Sequence, residues 1–277
     1  MGFARVICQG ALALGILGLS ISAEYLVPNC GLIDNPYGLR IFNGTDAQIN
    51  SHPWMAFLHT STKFICGGSL IHRRFILTAA HCVKQGLKAR LGEYDSMTRI
   101  GCTVHGCSPK SEEYDIDMAI EKGANDIALL RLSRLVNFNE HIKPICLITD
   151  PWKWTDLPYL KDFIATGWGD TKTNRTRGSL QGVTLNRYNS IRCEQKFWRY
   201  VQEDQFCAGS PYGDTCNGDS GGPLGKNLTH NGQTRYVQLG VVSYGSANCD
   251  GIGVYTDVIV HMPWIEQVIQ RTKDMAF

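Results

Sequence analysis

From Ile41 onward, short apolar runs alternate with clusters of Gly, Asn, Asp and Pro. That alternation is the pattern of an all-β barrel or sandwich, in which each short strand ends at a turn. The runs predict strands near 54–59, 64–71, 75–78, 88–91, 116–120 and 127–132. A second set is predicted near 163–168, 180–185, 205–208, 223–224, 236–244 and 253–258. The polar span 149–161 separates the two sets, and no internal repeat is evident. Two helices are expected as well. Ser190 as an N-cap predicts a short one over 190–197. Pro263 in a first turn predicts another from 263 to about 272, with Trp264, Ile265, Val268 and Ile269 as a stripe facing the core.

The first 23 residues follow a different rule. Arg5 supplies a positive start, an apolar run follows, and Ser20, Ser22 and Ala23 are small enough for signal peptidase. The apolar run falls short of the roughly 20 residues a spanning helix needs, so a cleaved secretory signal over 1–23 is expected rather than an anchor. An uncut, membrane-anchored form is the alternative. The expected location is secreted and extracellular. Residues 24–40 are rich in turn formers and too few to fold alone.

Composition narrows the rest. The chain has 277 residues, 43% of them hydrophobic and 19% charged, ample for a globular core. A formal charge of +2 gives no reason to expect nucleic acid or an anionic membrane surface as partner. Of eleven cysteines, Cys8 leaves with the signal. Ten in a secreted chain imply five disulfides, though spacing alone does not give their connectivity. No Cys-x-x-Cys pair supports zinc.

The chemistry concentrates at 214–224, where Gly218-Asp219-Ser220-Gly221-Gly222 sits among further carboxylate, cysteine and proline residues. A serine hydroxyl is a poor nucleophile unless a base takes its proton and donors stabilise the oxyanion. Gly218 and Gly221 leave room around Ser220, so the N–H groups of Gly218 and Ser220 can converge on one oxygen. The bland alternative is a solvated Ser in a glycine-rich turn. His81 stands beside Cys82 where an apolar strand gives way to a loop, and alone it is only one of eight histidines. Asp126 heads the strongly apolar Ile127-Ala128-Leu129-Leu130. An acid there must be paired or hydrogen-bonded, or else be a solvated strand cap.

Taken together, the chain resembles the trypsin-like (chymotrypsin-fold) serine proteases from Ile41 to about Ile269. The motifs are Leu77-Thr78-Ala79-Ala80-His81-Cys82, Asn125-Asp126-Ile127-Ala128-Leu129-Leu130 and Gly218-Asp219-Ser220-Gly221-Gly222-Pro223-Leu224, in the family's order. Cys66-Gly67-Gly68-Ser69-Leu70, Ala165-Thr166-Gly167-Trp168-Gly169 and Gly253-Val254-Tyr255-Thr256 add to them. The resemblance implies two packed six-stranded antiparallel β-barrels with a C-terminal helix. The first barrel would span about 41–148 and the second about 162–260 of a peptidase domain over 41–277. It implies Ser220 as nucleophile, His81 as base, Asp126 as its orienting partner, and an oxyanion hole at Gly218 and Ser220.

Further roles follow from the same resemblance. Asp214 would lie at the floor of the primary specificity pocket with Gly245 and Gly253 at its walls, selecting Arg or Lys before the cleaved bond; otherwise Asp214 is an exposed turn residue. Arg40-Ile41 would be an activation site separating a propeptide, 24–40, from the domain, and the freed Ile41 amine would pair with Asp219. The implied disulfides are Cys66–Cys82, Cys193–Cys207, Cys216–Cys249 and Cys30–Cys146, with Cys102–Cys107 closing a small loop. That last pair resembles the protease domains of arthropod clip-domain enzymes of immune and developmental cascades. Residues 24–40 hold one cysteine, so no clip module is expected. Expected partners are protein substrates, an upstream trypsin-like activator and a serpin-type inhibitor, with the protein itself a monomer. The rival reading is a catalytically silent homologue acting as a binding or regulatory protein.

Some positions depart from the family pattern. Only Glu121 to Asn125 separate Ile120 from Asp126, which would either open the second substrate subsite or strain Asp126. Phe42 is bulkier than usual after the new terminus, and Ile252 replaces a usual Pro or Tyr. Glu93 stands where some relatives bind calcium, yet no set of partner carboxylates follows, so no metal or cofactor is expected beyond a structural calcium there. Asn43, Asn174 and Asn227 begin glycosylation sequons, with Asn174 the favoured one.

Overall fold

The structure, a computed structural model, describes residues 24–33, 43–98, 100–103, 106–169, 178–211, 215–216, 218–246, 248–272 and 275. The signal segment, Arg40-Ile41, Phe42, Asn174 and Asp214 therefore lie outside the described residues.

In the first half the strands are β1 (Asn43–Asp46), β2 (Met55–His59), β3 (Phe64–His72), β4 (Phe75–Thr78) and β5 (Lys88–Leu91), then the short pair β6 (Cys102–Thr103) and β7 (Gly106–Cys107), then β8 (Glu112–Glu121) and β9 (Ala128–Leu132). In the second half they are β10 (Asp162–Gly167), β11 (Gln181–Tyr188), the helix α1 (Ser190–Phe197), β12 (Gln205–Gly209), β13 (Pro223–His230), β14 (Gln233–Gly245), β15 (Ile252–Asp257) and the helix α2 (Val258–Thr272). β2, β3, β4, β9, β8 and β5 close one antiparallel barrel. β11, β10, β13, β14, β15 and β12 close the other, because β12 pairs with both β15 and β11. β1 lies on the outside of β11, so the chain starts on the second barrel before crossing to the first.

Each barrel buries its own apolar cluster. Trp54, Leu58, Leu70, Phe75 and Leu130 belong to the first, and Phe163, Leu185, Phe206 and Tyr255 to the second. Ser69 Oγ on β3 donates to Gln238 Oε1 on β14 at 2.6 Å, a buried polar contact between the halves. Residues 24–33 dock on the second barrel, where Cys30 is bonded to Cys146 and Tyr25 is buried.

Three sequence expectations change. Asn189, not Ser190, caps α1, because its side-chain oxygen reaches the Ile191 N–H at 3.0 Å. α2 begins at Val258, not at Pro263, which lies inside it. Asp257 Oδ1 takes the Ile259 N–H, and burial of Val258, His261 and Met262 extends the helix upstream, outweighing the bond Pro263 cannot donate. β13 runs on to His230, since pairing with β14 through His230↔Gln233 stabilises residues whose own pattern is polar.

Candidate active site

The site assembles where the barrels meet. β4 delivers His81 on a single helical turn, Ala80–Cys82, and the Cys66–Cys82 disulfide ties that turn to β3. Thr78 Oγ1 donates to the Gly67 carbonyl at 2.8 Å, holding the same corner. Asp126 stands just before β9. Its carboxylate meets His81 Nδ1 at 2.9 and 3.0 Å and accepts the His81 N–H at 3.1 Å.

The second barrel adds two contacts that the sequence did not point to. Ser243 Oγ on β14 donates to Asp126 Oδ2 at 2.6 Å, and Thr256 Oγ1 on β15 donates to the Asp126 carbonyl at 3.1 Å. Both are small hydroxyls in apolar strands, as buried as their packing neighbours, and only these bonds distinguish them. Burial works to raise the Asp126 carboxyl, but the bonds from His81 and Ser243, with the His81 charge, outweigh it and hold it below the ordinary 3.8. Asp126 is thus kept ionised beside the imidazole.

Ser220 sits in a tight turn before β13. The turn needs backbone that only glycine adopts readily, with Gly218 at φ 100° and Gly221 at φ 76°. A Cβ at Gly221 would lie 2.1 Å from Thr78 Oγ1, so this turn is pressed against the His81 corner. The Gly67 N–H donates to the Ser220 carbonyl at 2.9 Å and docks the turn onto the first barrel. Among the described residues no hydrogen bond joins Ser220 Oγ to His81. The structure brings His81, Asp126 and Ser220 to one corner, with the His81–Asp126 link formed.

The Asp219 carboxylate accepts the N–H groups of Gly169 and Cys216, each at 2.8 Å. Gly245 and Gly253 face each other across β14 and β15. The Thr215 carbonyl, one residue after Asp214, lies 3.8 Å from where a Gly245 Cβ would stand. The ten described cysteines form Cys30–Cys146, Cys66–Cys82, Cys102–Cys107, Cys193–Cys207 and Cys216–Cys249, the pairs the resemblance implies. Asn227 is exposed on β13.

The short turn after β8 leaves Asp126 aimed at His81 and borders a cleft of about 670 Å³. His81, Asn125, Arg199, Ser243 and Tyr244 line it. Glu93 is the position the sequence offered for calcium. Its carboxylate is held by Arg90 at 2.7 Å and Ser111 at 3.0 Å, and burial, opposed by Arg90, raises it toward the neutral form. Among the described residues the sole cluster of three metal-ligating side chains is Cys66, His81 and Cys82, whose two sulfurs are bonded to each other.

Known proteins are similar to this chain over most of its length. Melanization protease 1 of Drosophila melanogaster is 35% identical, the match covering 88% of this chain and 68% of that protein. Phenoloxidase-activating factor 3 of Holotrichia diomphalia is 36% identical, covering 87% and 75% respectively. The crystal structure of the Drosophila Grass clip serine protease of the Toll pathway superposes with a TM-score of 0.76 at 34% identity, over 87% of this chain and 75% of that one. Two barrels, a histidine–aspartate pair and a serine turn at their junction are the features of one family, whose Trypsin model matches residues 41–265, and this chain belongs to it.

Proposed function

We propose that the protein is the secreted zymogen of a serine endopeptidase that cleaves after Arg or Lys. The observation that carries this reading is the Asp126 carboxylate, ionised and hydrogen-bonded to His81 Nδ1, at the corner where Ser220 lies. The Nδ1 contact fixes the tautomer, leaving Nε2 as the basic nitrogen. Ser220 Oγ attacks the scissile carbonyl as His81 Nε2 takes its proton. The imidazolium, stabilised by Asp126, returns that proton to the leaving amine, and water repeats the cycle to release the acyl group. The N–H groups of Gly218 and Ser220 receive the oxyanion, each such donor being worth about 10²–10³ in turnover.

Activation follows from Asp219. Cleavage at Arg40-Ile41 frees an amine that pairs with its carboxylate; breaking a buried pair of that kind costs about 3–5 kcal/mol, enough to order the adjacent oxyanion turn. The Cys30–Cys146 bond keeps the cleaved segment attached. Asp214, beside Gly245 and Gly253, selects the cationic side chain. A place in an extracellular immune cascade agrees with relatives named for melanization, phenoloxidase activation and the Toll pathway. The activator is itself trypsin-like, since it cuts after Arg40. No helix among the described residues is long and apolar enough to cross a membrane.

The absent Ser220–His81 hydrogen bond favours a second reading, a silent homologue that binds without cleaving. Catalytic hydrogen bonds often tighten only with substrate, so the two readings part in solution. The test is to cut purified protein after Arg40 and assay peptide amides carrying Arg, Lys or Phe before the scissile bond, with Ser220→Ala as control. Turnover after Arg and Lys that Ser220→Ala abolishes is expected. No Ser220-dependent turnover on any peptide establishes the silent homologue, and cleavage after Phe alone removes the role given to Asp214.

A further inference from the structure

The turn that presents Asp126 has little packing of its own. It is closed by Asn125 N–H to the Lys122 carbonyl at 3.0 Å and by Lys122 N–H to the Ile127 carbonyl at 3.2 Å. Gly123 and Ala124 are exposed, and a Cβ built on Gly123 would meet nothing within 4 Å. The two polar side chains at its ends both reach across to the second half of the molecule. Asn125 Nδ2 donates to Asp204 Oδ2 at 2.6 Å, and Lys122 Nζ lies 2.7 Å from His261 Nδ1. His261 Nε2 lies 2.9 Å from the same Asp204 oxygen and closes the circuit. The His261 side chain, in the first turns of α2, is 1% exposed and that of Asp204 14%, so water competes little for these bonds.

Elementary chemistry sets the direction of each bond. An ammonium only donates, which makes His261 Nδ1 an acceptor and leaves the ring proton on Nε2 for Asp204. A neutral ring suits the site: burial first, then the Lys122 charge, push the imidazolium of His261 down, with Asp204 opposing. One line of donors therefore runs from Lys122 through His261 to Asp204, and Asn125 donates to the same carboxylate. Lys122 and Asn125 belong to the first half of the chain, Asp204 precedes β12, and His261 is on α2.

We propose that Asp204 and His261 are positioning residues for the triad, clamping both ends of the 122–126 turn to the second half so that Asp126 stays aimed at His81 Nδ1. The proposal rests on the catalytic reading of Ser220, His81 and Asp126. Neither residue touches the reacting atoms; both act through the turn. Among the described residues Asp126 itself hydrogen-bonds to the second barrel at Ser243 and Thr256, so without the clamp the turn can pivot about those two contacts. A misplacement of about 1 Å in a catalytic group can cost about 10²-fold in rate.

The test compares the activated protein with Asp204→Ala, Asp204→Asn and Lys122→Met. Val260→Ala, at an exposed position of the same helix, serves as control. Three quantities are read: kcat and KM on an Arg peptide amide, and the downfield proton resonance of His81 Nδ1 bonded to Asp126. Asp204→Ala should lower kcat by about 10- to 10²-fold with KM little changed, and broaden or abolish the resonance. Asp204→Asn keeps an oxygen that both Asn125 and His261 can donate to, and should recover most of both signals. Lys122→Met should fall between, and Val260→Ala should match wild type. Unchanged kcat and resonance in Asp204→Ala overturn the clamp. Should that variant fail to fold, the same null result in Lys122→Met overturns it. A wild type with no hydrolysis removes the catalytic reading instead; the resonance then decides the clamp, lost in Asp204→Ala if it stands and kept if it falls.

Discussion

Ser243→Ala deletes one buried hydroxyl whose side-chain partner among the described residues is the Asp126 carboxylate, at 2.6 Å. A hydrogen bond to a charged group contributes about 1.5–3 kcal/mol. Asp126 keeps its two donors from His81, and its side chain is 23% exposed, so water recovers part of the loss. The expected net destabilisation at neutral pH is about 1 kcal/mol. If the same amount is lost from the transition state, where the imidazolium relies on Asp126, kcat falls about fivefold.

The pH dependence has a definite sign. The folded Asp126 carboxyl lies below its ordinary 3.8, so its contribution to stability is fully present above about 3.8 and is lost as pH falls through the folded value. Ser243→Ala moves the folded value back up. The stability gap between the two proteins should therefore be constant near neutrality and close on acidification below about pH 4. Denaturant titrations of both proteins between about pH 3 and pH 8 measure the gap, and steady-state kinetics after activation measure kcat. Equal stability at neutral pH, or a gap that widens with acid, would refute the account of Asp126 given above.

Two further variants probe the frame around the site. Arg131 is fully buried; its Nε meets Asp117 Oδ1 at 2.7 Å and one terminal nitrogen reaches the Thr272 carbonyl at 2.8 Å, so it joins the first barrel to the end of α2. Asp117→Ala should cost about 3–5 kcal/mol, seen in the denaturant midpoint with faster amide exchange at the end of α2; a loss under about 1 kcal/mol would contradict the burial argument. Gly218→Ala places a Cβ 3.0 Å from Gly169 Cα and 3.2 Å from Phe64 Cε1 at φ 100°. About 1–3 kcal/mol of strain and a 10²- to 10³-fold loss of kcat are expected, and wild-type kcat in this variant would remove Gly218 from the oxyanion hole.

Much of this was legible in the chain because the chemistry is written in local motifs. The Gly218-Asp219-Ser220-Gly221-Gly222 turn needs glycines at fixed offsets, and the strand ahead of His81 and the strand behind Asp126 carry strong apolar patterns. Elements whose reason is distant were not legible. The strand expected near 223–224 extends to His230 because β14 supplies the opposite edge, and α2 starts early because Val258 and Met262 find the first barrel's core. Asn189 took the cap from Ser190 on a difference of one residue in reach.

The sequence by itself determined the residue types, their order, and the turns that require glycine, since these depend on a few neighbouring dihedrals and side chains. Tertiary structure alone decided what holds Asp126. Ser243, Thr256, Asp204 and His261 are separated from it by between 78 and 135 positions, and no periodicity links them to the turn they grip. A hydrogen bond across two barrels depends on where both backbones end up, and that is settled only when each has closed.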